Sequence, residues 1–585
     1  MTARAFASRP GRRDLLAWPQ AILDAAALSH GRACALLVAL CLVCFLPGLA
    51  SLQPMDRDEP RFAQASKQML ETGDLVDIRF QAEARHKKPV GIYWAQAAFV
   101  GAGEALGIPN ARTTIALYRL PSLLGAIGAA LLAYWSALAF LPRRGAVLAA
   151  ALFAACVVLS AEARLAKTDA LLCACAMATF GGLARAWLGR ADGAAGLTLG
   201  TATVLGTATV LAFWLGFAVG ILVKGPMVPL FCGLPALVLS LQARSGRWLQ
   251  ALRPGLGLPL TLLIVAPWFV AITWKSGGAF YGEAVGHDML SKVQGGSEKH
   301  WAPPGAYLFA VFGTFWPGAA FAALAAPFAW AHRREAGVAF LLAWIVPTWL
   351  LFEIVPTKLP HYVLPLFPAL AILAVLALTR GALDPERRGA RLTAGLVVLI
   401  PVGLTLGLSA FAWTQDGTLP WAGLPLLLAA CAAAFLAWRA FGRGAAERAL
   451  CLGILASALL SPAVFGLTQP VMAALKVSPR LAALRDRLPC AAPKVASLGY
   501  REPSFVFLIG TDLAMMDTAA EAASFLRGDG CRLLYVEDRF APAFAAAAAS
   551  AGFGPTQVGA VSGFNINGGR RVALTAYASI PDPTP

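Results

Sequence analysis

Long apolar runs dominate this chain and decide what it can fold into. Each run approaches the roughly 20 residues that an α-helix needs to cross a bilayer core, and polar or Pro/Gly-containing breaks separate the runs. Because 58% of the 585 residues are hydrophobic and only 14% are charged, a soluble globular fold is excluded. The runs predict about thirteen transmembrane helices, at residues 33–52, 114–141, 145–160, 170–188, 202–223, 227–241, 256–273, 307–331, 337–355, 363–378, 393–413, 421–438 and 449–467.

The placement of the charges predicts how the chain crosses the membrane. The formal net charge is +17, and arginines gather in alternate connections, such as Arg143 with Arg144 and Arg333 with Arg334. Because Lys and Arg favour the inner side of a membrane, these connections and the N-terminus are expected in the cytoplasm. An odd number of spans then places the chain after residue 467 outside. The positive charge therefore reflects topology and attraction to anionic membrane lipids, and it does not indicate nucleic-acid binding.

Two of the outward connections, residues 53–112 and 274–305, are long and contain aromatic side chains. Long loops in a compact protein are usually functional or disordered, and the aromatic content argues against disorder. In the first connection, apolar residues from Phe62 to Leu70 follow a helical spacing, with Asp58 suited to cap the start and Gly73 the end. This pattern predicts a helix lying along the membrane surface.

The segment after the last span, residues 470–585, is more polar and is called the tail below. Short apolar runs alternate there with helical patterns, which predicts a small α/β domain with a partly parallel sheet. Cys490 and Cys531 each shortly precede a strand-like run. An oxidising outer compartment would permit a disulfide between the starts of two neighbouring strands.

Charged and aromatic side chains are concentrated in four outward motifs. Asp56 and Asp58 form an Asp-x-Asp pair, which in soluble enzymes can bind the metal of a nucleotide sugar. Nucleotide sugars are cytoplasmic and no glycine-rich phosphate cradle accompanies the pair, so this use is not favoured. The motifs are Asp58-Glu59-Pro60-Arg61, Lys87-Lys88-Pro89-Val90-Gly91-Ile92-Tyr93-Trp94, Arg164-Leu165-Ala166-Lys167-Thr168-Asp169-Ala170 and Thr357-Lys358-Leu359-Pro360-His361-Tyr362-Val363-Leu364-Pro365.

In their order and outward placement, these motifs resemble those of the membrane glycosyltransferases that take a sugar from a polyprenyl phosphate, the GT-C superfamily. The likeness is greatest to the bacterial lipid A aminoarabinose transferases and to the related protein mannosyltransferase and galacturonosyltransferase families. The resemblance implies an α-helical polytopic membrane protein of the GT-C type. Its transmembrane domain would occupy residues 1–469, and a small periplasmic α/β domain residues 470–585.

The resemblance also implies roles for individual side chains. When a sugar leaves its lipid phosphate, the phosphate gains negative charge, so preorganised cations lower the barrier. A hydroxyl acceptor also needs a base within hydrogen-bond reach. The implied catalytic residues are Asp58, Arg61 and Asp169. The implied donor-phosphate ligands are Lys88, Lys358, Arg164, Lys167 and His361, and the implied substrate contacts are Glu59, Tyr93 and Tyr362.

One position departs from the family pattern and bears on a metal site. In relatives, a glutamate just before the lysine of the second motif, together with a histidine in a later outer loop, can hold a divalent metal such as zinc, magnesium or manganese. Lys87 stands at the glutamate position here, and His287 is the candidate match for the histidine. The change removes an anionic ligand and adds a cation, which argues against a metal there.

The implied function is that of an inverting glycosyltransferase in the bacterial inner membrane. It would move a sugar from an undecaprenyl-phosphate donor to lipid A or lipopolysaccharide on the periplasmic face. An enzyme of the protein O-mannosyltransferase type is the alternative within this class. A lipid-linked sugar transporter is the alternative from another class, but it would be expected to show paired interrupted half-helices and charges near mid-span. One charge does lie in an apolar run, Glu353, for which Lys224 is a candidate counter-ion.

Overall fold

The computed structural model describes residues 18–193, 205–290, 301–490 and 492–580. Within these residues, nine helices are long and apolar enough to cross a membrane, so the chain is a multi-pass membrane protein. Their bounds are Ile115–Ala137, Asp169–Arg190, Thr207–Lys224, Pro254–Ser276, Ala336–Ile354, Pro360–Thr379, Ala390–Asp416, Leu424–Gly442 and Ala446–Val471. Shorter apolar helices cover His30–Phe45, Met227–Ala243 and Ala319–Ala331.

The predicted number of thirteen spans is not confirmed, because two predicted runs are interrupted. The run at residues 145–160 is divided between helices Arg143–Ala154 and Val157–Glu162, with Cys156 in an extended conformation between them. The run at residues 307–331 is divided between Ala306–Thr314 and Ala319–Ala331. Hydropathy detects the apolar stretch but not a break inside it. The start of the run at 202–223 lies outside the described residues.

Small residues let the membrane helices approach closely. Among the described elements, the most extensive contact joins helix Ile115–Ala137 to helix Asp169–Gly193. A Cβ atom added at Gly125 would come within 2.7 Å of the Leu171 Cα atom, so a larger residue would push these two helices apart.

The first outer connection folds into helices Glu59–Thr72 and Gly91–Ala105 with a two-residue hairpin between them, β1 (Arg79–Phe80) and β2 (Glu83–Ala84). Gly73 ends the first helix with a φ of 74°, as predicted, but the Asp58 side chain does not cap its start. The predicted helix is confirmed, and its position along the membrane surface stays a prediction. Most of its residues are buried, because it packs between helix Gly91–Ala105 and the tail.

A buried ion pair fixes where this connection begins. Arg119, fully buried in a membrane helix, donates to both carboxylate oxygens of Glu59 at 2.7 and 2.9 Å. The guanidinium also donates to the carbonyl oxygens of Leu49 and Leu52 at the end of the first apolar segment. Glu59 in turn accepts from the backbone N–H of Ala166 at 2.9 Å. One pair therefore joins a membrane helix, the first apolar segment and two outer connections.

The tail forms a five-stranded sheet in the order β4-β3-β5-β7-β6. Strand β3 is parallel to β4 and β5, and β7 is antiparallel to β5 and β6, so the predicted partly parallel sheet is confirmed. The strands are β3 (Lys494–Leu498), β4 (Ala514–Met516), β5 (Arg532–Glu537), β6 (Thr556–Asn565) and β7 (Arg570–Ser579), and the helices are Val477–Arg485, Pro503–Ile509, Ala519–Arg527 and Ala541–Ser550. The predicted boundary between residues 469 and 470 stays a prediction.

A disulfide and an additional strand complete the tail. The predicted disulfide between Cys490 and Cys531 is present and lies beside the paired starts of β3 and β5. Strand β6 was not predicted, because glycines and polar residues interrupt its alternation. The strand is stabilised by pairing with β7, which no local pattern reveals.

We expect Glu59→Gln to destabilise the protein by about 3–5 kcal/mol, because it leaves the Arg119 charge buried without its counter-ion. Unfolding in detergent, followed by heat or denaturant, measures the loss. The matched control is Glu104→Gln, which breaks an exposed pair with Arg112 and should cost about 1 kcal/mol or less. Equal effects of the two substitutions would contradict this reading of the buried pair.

A second contact ties the tail to the first outer connection. The Asp56 carboxylate accepts hydrogen bonds from the Ser504 backbone N–H and hydroxyl, both at 2.8 Å. Burial raises the pKa of Asp56 to about 7, and the nearby Glu502 charge adds to the shift. The folded protein therefore holds a proton at Asp56 between the ordinary pKa of about 4 and about 7. This stabilisation is present at low pH and is lost as the pH rises through 7.

We expect the melting temperature of the wild-type protein to fall more between pH 5 and pH 8 than that of Asp56→Asn, because asparagine has no proton to lose. Thermal unfolding at both pH values measures the difference. Asp529→Asn, at an exposed tail position, should keep the wild-type pH dependence. Parallel pH dependences for the wild type and Asp56→Asn would show that Asp56 does not titrate in this range.

Candidate functional site

A short outer connection at residues 161–169 supplies the first part of the site. Helix Val157–Glu162 ends with Glu162, and helix Asp169–Gly193 begins with Asp169, so the intervening turn brings both carboxylates to one place. Lys167 lies between them in the chain. Its Nζ atom is 3.1 Å from Glu162 Oε1 and 4.0 Å from Asp169 Oδ2. The lysine therefore stands between two buried carboxylates.

Two further outward ends complete this group. Lys224, the last residue of its membrane helix, pairs with Asp169. His361 Nδ1 is 3.4 Å from Glu162 Oε1, and His361 Nε2 is 3.6 Å from Asp169 Oδ1. We call Glu162, Lys167, Asp169, Lys224 and His361 the charged cluster. It joins three outward ends of the membrane helices.

The Lys224–Asp169 pair corrects one expectation. Lys224 is not the counter-ion of Glu353. Glu353 instead accepts from the backbone N–H groups of Gly305 and Tyr307, at 2.8 and 3.1 Å, and so caps the helix that starts at Ala306. The buried Glu353 carboxylate therefore stabilises the start of this helix.

Asp58 lies exposed near the charged cluster. Partial burial acts to raise the pKa of its carboxyl group, but the charges of Lys167, Arg85 and Arg61 outweigh this and hold the pKa below its usual value. Asp58 is therefore ionised at neutral pH. The exposed position and the surrounding cations fit a group that meets a substrate.

Two of the implied phosphate ligands, Lys88 and Lys358, are not part of the charged cluster. The Nζ atom of Lys88 is 2.5 Å from Asp288 Oδ2. This ion pair joins the outer connections at residues 53–112 and 274–305. Lys358 is buried and donates to the carbonyl oxygens of Glu353 and Val355, at 2.9 and 2.7 Å. Lys167 and His361 belong to the charged cluster, so only some of the implied ligands come together.

Three implied site residues are buried in structural roles that do not fit substrate contact. Arg164 donates to the carbonyl oxygen of Pro47 at 2.6 Å and to the Ser461 hydroxyl at 3.0 Å, so its guanidinium is used in packing. Glu59 is held by Arg119 as described above. Tyr93 is fully buried against Phe62, with the ring centres 5.3 Å apart. Each side chain lacks a surface that a substrate could reach.

Tyr362, in contrast, borders the charged cluster. The Lys224 Nζ atom lies 5.3 Å from the centre of its ring, a distance that suits a cation–π contact. The half-buried ring offers an aromatic wall next to the cluster.

The metal implied by the resemblance does not fit the residues of this chain. Lys87 brings a positive charge where the ligand glutamate is expected, and the side chain of His287 lies outside the described side chains. Within the described residues, ligand atoms of Glu162, Asp169 and His361 do lie within 4.8 Å of one another. However, Lys167 and Lys224 already neutralise these two carboxylates and would repel a cation.

The fold brings to this region several residues that the four motifs do not single out, among them Glu162, Arg119, Arg85 and Asp288. Glu162 lies in the connection at residues 161–169 together with Lys167 and Asp169. Its closeness to them in the sequence therefore indicates that the three side chains are near each other. The partners of Arg119 and Asp288 are distant in the chain and depend on tertiary packing.

No protein-family model matches the chain. Among curated proteins, it is similar to an undecaprenyl phosphate-alpha-4-amino-4-deoxy-L-arabinose arabinosyl transferase of Pseudomonas fluorescens, with 27% identity over 344 residues. That match covers 58% of each chain. The transferase of the same name from Pseudomonas paraeruginosa is 29% identical over 390 residues, covering 64% of this chain and 65% of that one. The matches therefore span less than two thirds of these relatives.

The comparison with solved structures covers almost the whole chain. ArnT from Cupriavidus metallidurans, solved with undecaprenyl phosphate, superposes with a TM-score of 0.71 at 19% identity, over 94% of this chain and 99% of ArnT. The apo form of ArnT gives a TM-score of 0.69. The chain has the fold of ArnT. The fold class implied by the outward motifs is thereby confirmed.

We expect the buried Lys224–Asp169 pair to show strong coupling in a double-mutant cycle. Lys224→Met and Asp169→Asn should each destabilise the protein by leaving the other charge short of a partner. The double variant should be more stable than the sum of the two losses predicts, by about 1–3 kcal/mol. Unfolding of the four proteins in one detergent measures the coupling. Additive losses would show that the two side chains do not interact in the folded protein.

Proposed function

We propose that this protein is an inverting glycosyltransferase. It moves a sugar from an undecaprenyl-phosphate donor to lipid A or lipopolysaccharide at the periplasmic face of the bacterial inner membrane. The N-terminus is then cytoplasmic and the tail periplasmic. The names of the relatives, which specify an undecaprenyl phosphate-linked aminoarabinose, and the fold shared with ArnT support this assignment.

The observation that carries the proposal is the ionised, exposed carboxylate of Asp58 among cations. Lys167, Arg85 and Arg61 all lower its pKa, so they lie close enough to act on a charge at this position. A lipid phosphate is anionic and its ester oxygen gains charge as the sugar departs, so the same cations would stabilise the leaving group. Two further basic residues are held by ion pairs: Lys88, later in the same outer connection as Asp58, pairs with Asp288, and Lys224 pairs with Asp169 of the charged cluster.

The reaction breaks the bond between the anomeric carbon and the phosphate oxygen of the donor. The acceptor oxygen forms the new bond on the opposite face, and the bonding electrons leave with the lipid phosphate. A hydroxyl acceptor gives its proton to a base, and Asp58 is the exposed carboxylate suited to take it. A phosphate acceptor is already anionic, and Asp58 would then orient it. No step is assigned to a metal, because Lys87 replaces the expected ligand.

We expect Asp58→Asn to lower the rate of sugar transfer by about 100-fold or more, since the amide can neither accept a proton nor carry the charge. Purified protein in lipid vesicles, with undecaprenyl-phosphate aminoarabinose and lipid A, provides the assay, and mass spectrometry detects the product. Asp512→Asn, at an exposed tail carboxylate, is the matched control and should keep full activity. If cells lacking the gene keep unchanged glycolipids but lose hexose from secreted proteins, the protein-acceptor alternative is correct.

The pH dependence gives a second check on Asp58. Because neighbouring cations hold its pKa below the usual value of about 4, Asp58 stays ionised through the neutral and mildly acidic range. Transfer should therefore fall only when the pH drops below about 4. A rate profile of kcat/KM against pH measures this limb, and an acid limb centred between about 6 and 7 would exclude Asp58 as the titrating group.

A further inference from the structure

A cleft lies between the first turn of helix Glu59–Thr72 and the tail. Its volume is about 250 Å³, and it is open to solvent. Four arginines line it, Arg61 from the helix and Arg501, Arg539 and Arg570 from the tail. Side-chain amides of Asn565 and Asn567 lie at the same wall. Only Arg61 belongs to an outward motif, and the other three arginines come from the tail.

The arginines of the cleft are only partly neutralised. Arg501 pairs with Asp517, while Arg539 and Arg570 share the single carboxylate of Glu537. Within the described part of the chain, Arg61 has no hydrogen-bond or ion-pair partner. The cleft therefore combines one uncommitted guanidinium with three that hold two carboxylates between them.

One acid also lines the cleft, but its oxygens are engaged. Glu502 accepts from the side-chain amides of Asn565 at 2.6 Å and Asn567 at 3.3 Å. These bonds hold the carboxylate against the wall, so it does not pair with the arginines. Arg501 and Arg539 keep about half of their side chains exposed, at 50% and 56%. Their planar donors are available to an anion that enters from solvent.

The position of the cleft points to the acceptor. Arg61 follows Asp58 by three residues, and its charge acts on Asp58. The cleft thus has a lining residue about one helical turn from Asp58, the carboxylate proposed to act on the acceptor. Of the described residues, Lys88 and those of the charged cluster are not part of the cleft lining. Guanidinium groups bind phosphate through paired hydrogen bonds, which suits a phosphorylated glycolipid head group.

We propose that this cleft binds a phosphate group of the acceptor lipid, with Arg61, Arg501 and Arg539 as its ligands. The inference rests on the proposed function and names the acceptor class of that site, a glycolipid that bears a phosphate besides the group that receives the sugar. Binding there holds the acceptor across the gap between Asp58 and the tail. The tail is therefore a specificity element, and its arginines set the KM for the acceptor.

The test compares two acceptors in the vesicle assay, lipid A with two phosphates and the same lipid with one phosphate removed. In the wild type, the KM for the doubly phosphorylated lipid should be lower. Arg501→Gln combined with Arg539→Gln should raise that KM by about tenfold or more, a loss typical of charge-assisted hydrogen bonds, and should abolish the difference between the two lipids. The KM for the donor and kcat should stay unchanged.

The matched control removes the same two charges elsewhere on the tail. Arg487 and Arg527 are exposed and do not line the cleft, so the double substitution to Gln should leave both acceptor KM values as in the wild type. Equal acceptor KM values for the cleft variant and this control would overturn the inference while the proposed function stands. A raised donor KM in the cleft variant would also overturn it, because the cleft would then serve the donor phosphate.

A binding measurement separates failure of the inference from failure of the proposed function. Immobilised protein without donor should retain the doubly phosphorylated lipid more strongly than the cleft variant does, whether or not transfer occurs. If the wild type transfers sugar to neither lipid, the proposed function fails, and equal retention by wild type and variant then overturns the cleft as well. Inorganic phosphate is added as a competitor. If it occupies the arginines without displacing the lipid, the site binds free phosphate and the inference is wrong.

Discussion

The ion pair between Glu59 and Arg119 is the interaction on which the outer part of this structure depends. Both side chains are buried, and together they satisfy carbonyl and amide groups from two separate stretches of backbone. Because a buried charge without its partner is costly, the pair allows only one placement of the segment that contains Asp58. Glu59 is next to Asp58 in the chain. The Glu59 carboxylate is buried in its ion pair, whereas the side chain of Asp58 is exposed.

Charge balance then organises the groups around Asp58. In the charged cluster, two lysines and one histidine lie against two carboxylates, and the five side chains come from three separate segments of the chain. Such a cluster is stable away from water only when its members arrive together, since each charge needs its partner. The membrane helices supply this precision, because their close packing fixes where each end emerges.

Much of this fold follows from the sequence, because the signals involved are local. Apolar runs located the membrane helices, alternation located most of the tail sheet, and the positions of Cys490 and Cys531 predicted their bridge. The motifs also indicate Asp58 and Asp169 as site residues, and their catalytic roles stay predictions. The burial of Arg164 and the ion pair of Lys224 could not be predicted from the sequence, since both depend on residues far away in the chain. Residue type alone does not distinguish a structural cation from one that meets a substrate.

The disulfide of the tail has a consequence for how the protein is made. In the described residues, nine other cysteines remain as thiols, and most of them are buried among membrane helices. Most of the free thiols are thus buried in the membrane part, whereas the bridged pair lies in the tail. Maturation of the sheet then requires a thiol-oxidising environment on the side that receives the tail. Without thiol oxidation, the membrane part could still fold, but the tail would lack its disulfide between Cys490 and Cys531.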